Sequence, residues 1–299
     1  MLSKKVFSAF NKINYFFSSP YNERSFLTFF RTAVSLVALI EIASLAIDLH
    51  LFFSSSGTLI PQELMYLQTE YFKYLHPLYQ FLERNNLTEF FYQASTITYA
   101  LSLLFLLMGL FTRYAAILAL LLQIIIFKSF SNFNYGYDSF LTMSLFYCVV
   151  FPVGKYDSLD TRIFKKRNQI IFNYRHVLQV HLAIAYFFSG IAKSLDTGWW
   201  NGESVWRAVA SVDNDFYSWP PVLFVIVSIG TVLLEILYPF LINIKKTRLF
   251  VLTGIILMHV GIAVMMELYA FSAIMIVWNL SAFGNISIKP KPVNEAVTI

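Results

Sequence analysis

Apolar residues run in eight long stretches along the chain, and polar residues collect in the gaps between them. The stretches are 26–51, 91–111, 114–127, 139–153, 176–193, 221–242, 249–266 and 268–283. Each has helical length and little of the strict alternation that marks a half-buried strand. A helix rises about 1.5 Å per residue, and a hydrocarbon core is about 30 Å thick. The pattern therefore predicts an all-α, multi-pass integral membrane bundle of about eight transmembrane helices over residues 26–285. Residues 1–25 form a basic, amphipathic lead-in and residues 286–299 a polar tail. The long aromatic connection 52–89 predicts short helices lying on the membrane.

The fifth stretch carries the most informative exceptions. At about 100° per residue, Gln179, Leu182, Tyr186, Ser189 and Lys193 share one direction, so a polar stripe climbs an apolar rod. Gly190 lies beside it and lets a neighbour come close. Asp196, Trp199 and Trp200 follow at once. Packing alone gives no reason for an ammonium there, which marks a candidate site. The plainer reading is a lysine snorkelling to the head groups within a belt of tryptophans. Other ionisable residues interrupt the greasy runs: Arg31 and Glu41 in the first, with Asp48 sharing the Glu41 face, Glu235 in the sixth and His259 in the seventh. Such groups look into a bundle or cavity, where they form pairs or line a path. Asn132 to Asp138, including Asn134, Tyr137 and Asp138, is packed tightly between two spans and either lines a cavity or forms a wet turn.

Composition agrees with the pattern: 58% of the 299 residues are apolar and 13% are charged, outside the range of soluble domains. The net charge of +5 acquires meaning from its distribution. With the N-terminus inside, the inner segments hold 16 lysines and arginines and the outer segments hold five. The positive-inside rule then places both termini in the cytoplasm and Lys193 at the outer face of a cell membrane. The basic surplus is spent on orientation and anionic lipid, so the bilayer is the partner and nucleic acid is not. Cys148 is the single cysteine, which excludes a disulfide or a cysteine-based metal site within the chain. His181 and His259 stand on different spans, and no metal-ligand spacing, phosphate loop or nucleophile elbow is present. No metal and no evident cofactor are expected.

These residues resemble the HTTM family, the multi-pass domain shared with the membrane part of vitamin K-dependent gamma-carboxylases. Phe30-Arg31 is similar to the family's opening helix, and Met108-Gly-Leu-Phe-Thr-Arg113-Tyr to its second hairpin turn. Asn132-Phe-Asn-Tyr-Gly-Tyr resembles the carboxylase N-H-S-Y-L-Y, and Asp157-Ser-Leu-Asp160 resembles the family's S-x-D. Tyr186-Phe-Phe-Ser-Gly-Ile-Ala-Lys193-Ser-Leu-Asp-Thr-Gly-Trp-Trp-Asn-Gly202 resembles Y-F-I-A-G-V-K-K-L-D-A-D-W-V-E-G. The resemblance implies that Lys193 takes the place of the lysine that is the base in those enzymes. It also implies a reduced naphthoquinone as a conceivable cofactor. Two departures stand out. Phe133, or Tyr135 under a shifted alignment, replaces the carboxylase histidine, and the large lumenal domain is absent.

Length and span number resemble the B component of sporulation-delaying-protein toxin systems, stand-alone HTTM proteins needed to mature a secreted antimicrobial peptide. The expectation is a membrane protein acting at the extracytoplasmic face on such a peptide, together with a small partner protein. Lys193 would be the base, with Tyr186, Ser189, Asn134, Tyr137, Asp138, Asp196 and Trp199 as the wall. Two alternatives remain open: a non-catalytic export, immunity or lipid-binding component, in which Arg31, Glu41, Glu235 and His259 line a path or pair, and a quinone-dependent, carboxylase-like oxygenase.

Overall fold

Helices occupy almost all of residues 23–48, 51, 72–127, 134–164, 172–213 and 215–284, the part of the chain that the computed structural model describes. They are α1 (Glu23–Leu45), α2 (Phe72–Arg84), α3 (Thr88–Met108), α4 (Thr112–Leu122), α5 (Gly136–Val150), α6 (Leu159–Phe164) and α7 (Tyr174–Ser194). There follow α8 (Thr197–Trp200), α9 (Glu203–Ala210), α10 (Pro221–Leu241), α11 (Lys245–Met266) and α12 (Tyr269–Phe283). A π-helical turn, Gln123–Phe127, extends α4, and a 3₁₀ turn, Asp215–Ser218, precedes α10. The amphipathic lead-in and the polar tail expected at the two ends lie outside the described residues, as do Asn132 and Phe133.

A helix stands at each of the eight runs read from the sequence. Five of them, α1, α3, α7, α10 and α11, are long and apolar enough to cross a membrane. Length separates α4 with its π turn and α12, apolar helices of 16 and 15 residues, while α5, also 15 residues, is both shorter and more polar, opening on Gly136-Tyr-Asp-Ser139. The shortness of α12 has a packing reason. It packs against α1, α5, α7 and α11, and most of its side chains are buried, so it is the axial post of the bundle and meets protein where the outer helices meet lipid. Trp278 and Asn279 at its centre are fully buried.

Two boundaries differ from the sequence reading. The first helix begins three residues earlier than predicted and ends at Leu45; Ala46–Asp48 is a turn, so Asp48 is exposed and does not share a helix face with Glu41. The polar segment before the fourth span is partly helical, because Asp138 accepts a hydrogen bond from the Tyr135 backbone N–H at 3.0 Å and caps the first turn of α5. The connection after the fifth span holds two short helices, α8 and α9, that pack against α10, and a 3₁₀ turn that packs against α9.

At one end of the bundle a polar clasp joins α1, the α3–α4 turn and the loop before α6. The Asp160 carboxylate accepts from the backbone N–H groups of Phe111 and Thr112 and from the Thr112 hydroxyl, at 2.7, 2.9 and 2.6 Å, which caps α4. Arg24 donates to both oxygens of Asp157, and the fully buried Arg31 donates to the Asp157 carbonyl at 2.8 Å. Gly109 closes α3 in the left-handed region at φ 70°, and a Cβ there would collide with the Arg31 guanidinium and with Ser158. Only glycine meets both demands.

Candidate functional site

Helix α7 and helix α10 run antiparallel in close contact, and the reason for the approach is Gly190. A Cβ at that position would come within 2.8 Å of the Ile236 backbone nitrogen and 3.1 Å of the Glu235 Cβ. One helical turn further on, the Lys193 ammonium donates to both carboxylate oxygens of Glu235 at 2.6 Å and to the Ser189 hydroxyl at 2.9 Å. The Trp199 ring lies over the same nitrogen, 5.1 Å from it to the centroid. Lys193's side chain is 22% exposed and Glu235's 5%.

The pair does not sit at the rim of the bundle, where a helix-ending lysine would be expected. Past Ser194 the chain breaks but keeps its antiparallel course: Ser228 donates to the Trp199 carbonyl at 2.6 Å, and Gly202 lies against the backbone of Phe224 and Val225. Glu235 is therefore the buried partner of a half-buried lysine that lies under a returning segment. At about 1.5 Å per residue it stands about 21 Å along α10 from Pro221 and about 9 Å from Leu241. Asp196 makes the break: its two oxygens accept from the Gly198 N–H at 3.0 Å and the Ser204 hydroxyl at 3.1 Å, capping α8 and facing its own loop. Trp200 and Trp206 are exposed and Trp199 is half-buried, so the tryptophans flank the segment that covers the pair.

Tyr186, two helical turns before Lys193 on α7, enters a directed chain of hydrogen bonds. Tyr238 donates to the Asn279 Oδ1 at 2.8 Å, Asn279 Nδ2 donates to the Tyr186 oxygen at 2.7 Å, and the Tyr186 hydroxyl meets His259 Nε2 at 2.8 Å. Asn279 takes Tyr186's oxygen as acceptor, so the Tyr186 proton points to His259 and Nε2 accepts it. His259 is then neutral with its proton on Nδ1, an atom that has no partner among the described residues. This network and the Lys193–Glu235 pair share helices α7 and α10.

The other predicted wall residues form a second location. Tyr137, Asp138 and Glu41 line a pocket with Tyr99, Gln123 and Phe127, and Lys193 is not among its lining. Asn134 is half-buried just ahead of α5. Arg31 belongs to the clasp and Glu41 to the pocket, whereas Glu235 and His259 lie together beside α7, joined through Lys193 and Tyr186, so the four intramembrane polar residues do not form one path. Asn279, Tyr238, Tyr99 and Gln123 were not singled out from sequence. Asn279 and Gln123 each interrupt an apolar run, which is the signal that marks them.

The HTTM domain family matches residues 23–283, nearly the whole described chain. The chain belongs to the HTTM family. Among curated proteins and solved structures, none matches. Within this HTTM domain, the residues that resemble the family's short motifs do two different jobs. Arg31, Gly109, Thr112 and Asp160 meet in the clasp and hold helix ends together. The Tyr186 to Gly202 motif instead supplies the ion pair, its tryptophan and the segment that covers them. The HTTM assignment and the five long apolar helices make this a membrane protein of the vitamin K-dependent carboxylase-like family.

Proposed function

We propose that this HTTM protein acts at the extracytoplasmic face of a cell membrane on a secreted peptide of antimicrobial type, working with a small partner protein. In this reading all eight apolar helices cross, with both termini inside, because 16 of the lysines and arginines fall on the inner segments. The observation that carries the proposal is the Lys193–Glu235 pair, an ion pair held between two apolar helices under a tryptophan. An ionic group at such depth is costly and is retained for use.

The chemistry is a proton couple. In the resting arrangement Lys193 carries the proton and its hydrogens are committed to Glu235 and Ser189, so the nitrogen is a donor and not a base. Passing one proton to Glu235 yields a neutral amine beside a neutral acid, and the net charge of the site is unchanged. The amine lone pair so released can take a proton from a substrate group, while Glu235 holds the first. Tyr186 and Ser189 position the side chain, and Trp199 excludes water.

The pocket beside Asp138 is a poor seat for a reduced naphthoquinone. A hydroquinone becomes an anion when it reacts, and Glu41 and Asp138 would repel it. A second reading is favoured by Gly190 and the short contacts at Glu235: the pair is a clamp between α7 and α10 in a protein that binds or exports without catalysis. Replacing Lys193 by Ala and weighing the secreted peptides separates the two. A catalytic role predicts an unmodified or immature product at normal protein level. An unchanged product mass removes the catalytic role.

A further inference from the structure

The hydrogen-bond network shared by α7, α10, α11 and α12 ends on an atom that neither the ion pair nor the clasp uses. Asn279 Nδ2 donates to the Met275 carbonyl at 2.9 Å as well as to the Tyr186 oxygen, which fixes the orientation of the amide and occupies both its donors. The Tyr186 proton therefore goes to His259 Nε2, and the chain runs through Tyr238, Asn279, Tyr186 and His259 in one direction. It stops at the Nδ1–H of His259, a donor without a partner on a residue 2% exposed. A buried donor left without an acceptor is costly, so the network is complete except for one acceptor.

The ion pair is the next layer along the bundle. Glu235 stands three residues before Tyr238 on α10, about 4.5 Å along the axis, and the Tyr238 and Tyr186 rings lie 4.4 Å apart. The Glu235 charge reaches the Tyr186 hydroxyl, and the Lys193 charge reaches His259. Among the described residues both oxygens of Glu235 accept from the Lys193 ammonium alone. Lys193 is the mobile member, 22% exposed on a four-carbon stem, and Glu235 is 5% exposed, so water does not replace the amine when it leaves. A carboxyl group with one donor to lose and a donor with no acceptor thus flank the same phenol from neighbouring helices. We propose that His259 is the second partner of Glu235: when Lys193 swings away, the Nδ1–H of His259 donates to the carboxyl oxygen that the amine has left. Its part in turnover rests on the proposed function. There Lys193 passes one proton to Glu235, the new O–H stays on Glu235, and His259 holds the other oxygen while the neutral amine meets the substrate. His259 acts through Glu235 and positions the couple, and Tyr186 keeps the ring in the required tautomer by placing its proton against Nε2.

The test uses the purified full chain in detergent, labelled with ¹⁵N-histidine, with the His259 signal identified among the five histidines by its loss in His259→Gln. The parent should carry the ring proton on Nδ1, and Lys193→Met should shift the Nδ1 resonance and slow the exchange of its proton. The second readout is a cycle of unfolding equilibria. Lys193→Met combined with His259→Gln should raise the unfolding constant beyond the product of the single effects by at least about fivefold, because Glu235 then loses both partners. His259→Asn, which keeps an N–H at the δ position, should recover part of that excess. In Lys193→Met with Glu235→Leu, which has no carboxylate, His259→Gln should act as it does in the parent. A ring proton on Nε2 in the parent, an Nδ1 resonance unmoved by Lys193→Met, or single effects that simply multiply would each overturn the proposal. If the combined variant does not accumulate, the resonance in Lys193→Met decides. None of these readouts involves the peptide: an unchanged product mass in Lys193→Ala removes the catalytic reading and leaves the exchange of partners standing, whereas a failed cycle removes His259 and leaves Lys193 to its own test.

Discussion

Removing one member of the Lys193–Glu235 pair should cost more than removing both. Breaking a buried pair from one side leaves an uncompensated charge, at about 3–5 kcal/mol. The side chain of Lys193 is 22% exposed and keeps Ser189 and the Trp199 ring, so Glu235→Leu should cost somewhat less, about 2–4 kcal/mol. In Lys193→Met the orphan is Glu235, 5% exposed, and the cost should fall at the upper end, about 3–5 kcal/mol. The double variant has no orphan charge and should lie within about 1–2 kcal/mol of the parent, giving a coupling of at least about 2 kcal/mol. The protein carries its own reporter. Cys148 is the single cysteine and is 1% exposed, so its reaction with a membrane-permeant maleimide along a denaturant series follows unfolding. If the double variant is destabilised by the sum of the single ones, the pair is not an interacting unit and the reasoning fails.

Gly109→Ala forces a Cβ onto the Arg31 guanidinium at a φ of 70°, and a substitution in that region costs more than about 1 kcal/mol before the collision is counted; Cys148 should become reactive without denaturant. Tyr186→Phe removes the shared hydroxyl of a buried network and should cost about 1–3 kcal/mol, more than Tyr238→Phe, which leaves a single acceptor unpaired; paired unfolding curves decide it. The clasp gives a pH dependence. Asp157, held below the ordinary 3.8 by its hydrogen bond to Arg24, against opposing desolvation and with help from the Arg24 charge, binds its proton less readily folded than unfolded. Its contribution is complete above the unfolded value and is lost as pH falls through the lower folded one. Unfolding midpoints should therefore drop below about pH 4, and Asp157→Asn should flatten that drop; an unaltered acid limb would contradict the assignment.

The helices were legible because each apolar run is long and bounded by polar turns, which is a local property. The axial position of α12 was not, since a run that faces protein on every side reads the same as one that faces lipid. Lys193 was conspicuous as the end of a polar stripe, but its partner is 42 residues away and is chosen by the α7–α10 register, which no spacing within either helix encodes. Glu235 was visible only as an anomalous charge. Asp196 shows how one signal serves two ends: an aspartate before Thr-Gly beside a lysine reads as chemistry, and the geometry makes it the cap of a short helix. Arg31 was read as lining a path or forming a buried pair, and it is instead the plug under Gly109, a role fixed by the α3–α4 turn and not by its own helix. Asn134, Tyr137 and Asp138 were joined to Lys193 because the charge distribution puts both segments at the outer face. The pocket that Tyr137 and Asp138 border is built with α1, α3 and α4, and only the packing could assign them there; Asn134 is not part of its wall.

In the proposed function the Lys193 nitrogen works because of where it stands, beyond holding two helices together. Exchanging the two charges, Lys193→Glu with Glu235→Lys, keeps an ion pair between α7 and α10 and moves the amine from one helix to the other. The account predicts that this variant reaches near-parental levels and resists maleimide labelling of Cys148 as the parent does, yet releases peptide of unmodified mass. A swapped protein that folds and still yields the mature product would make the pair a clamp and nothing more.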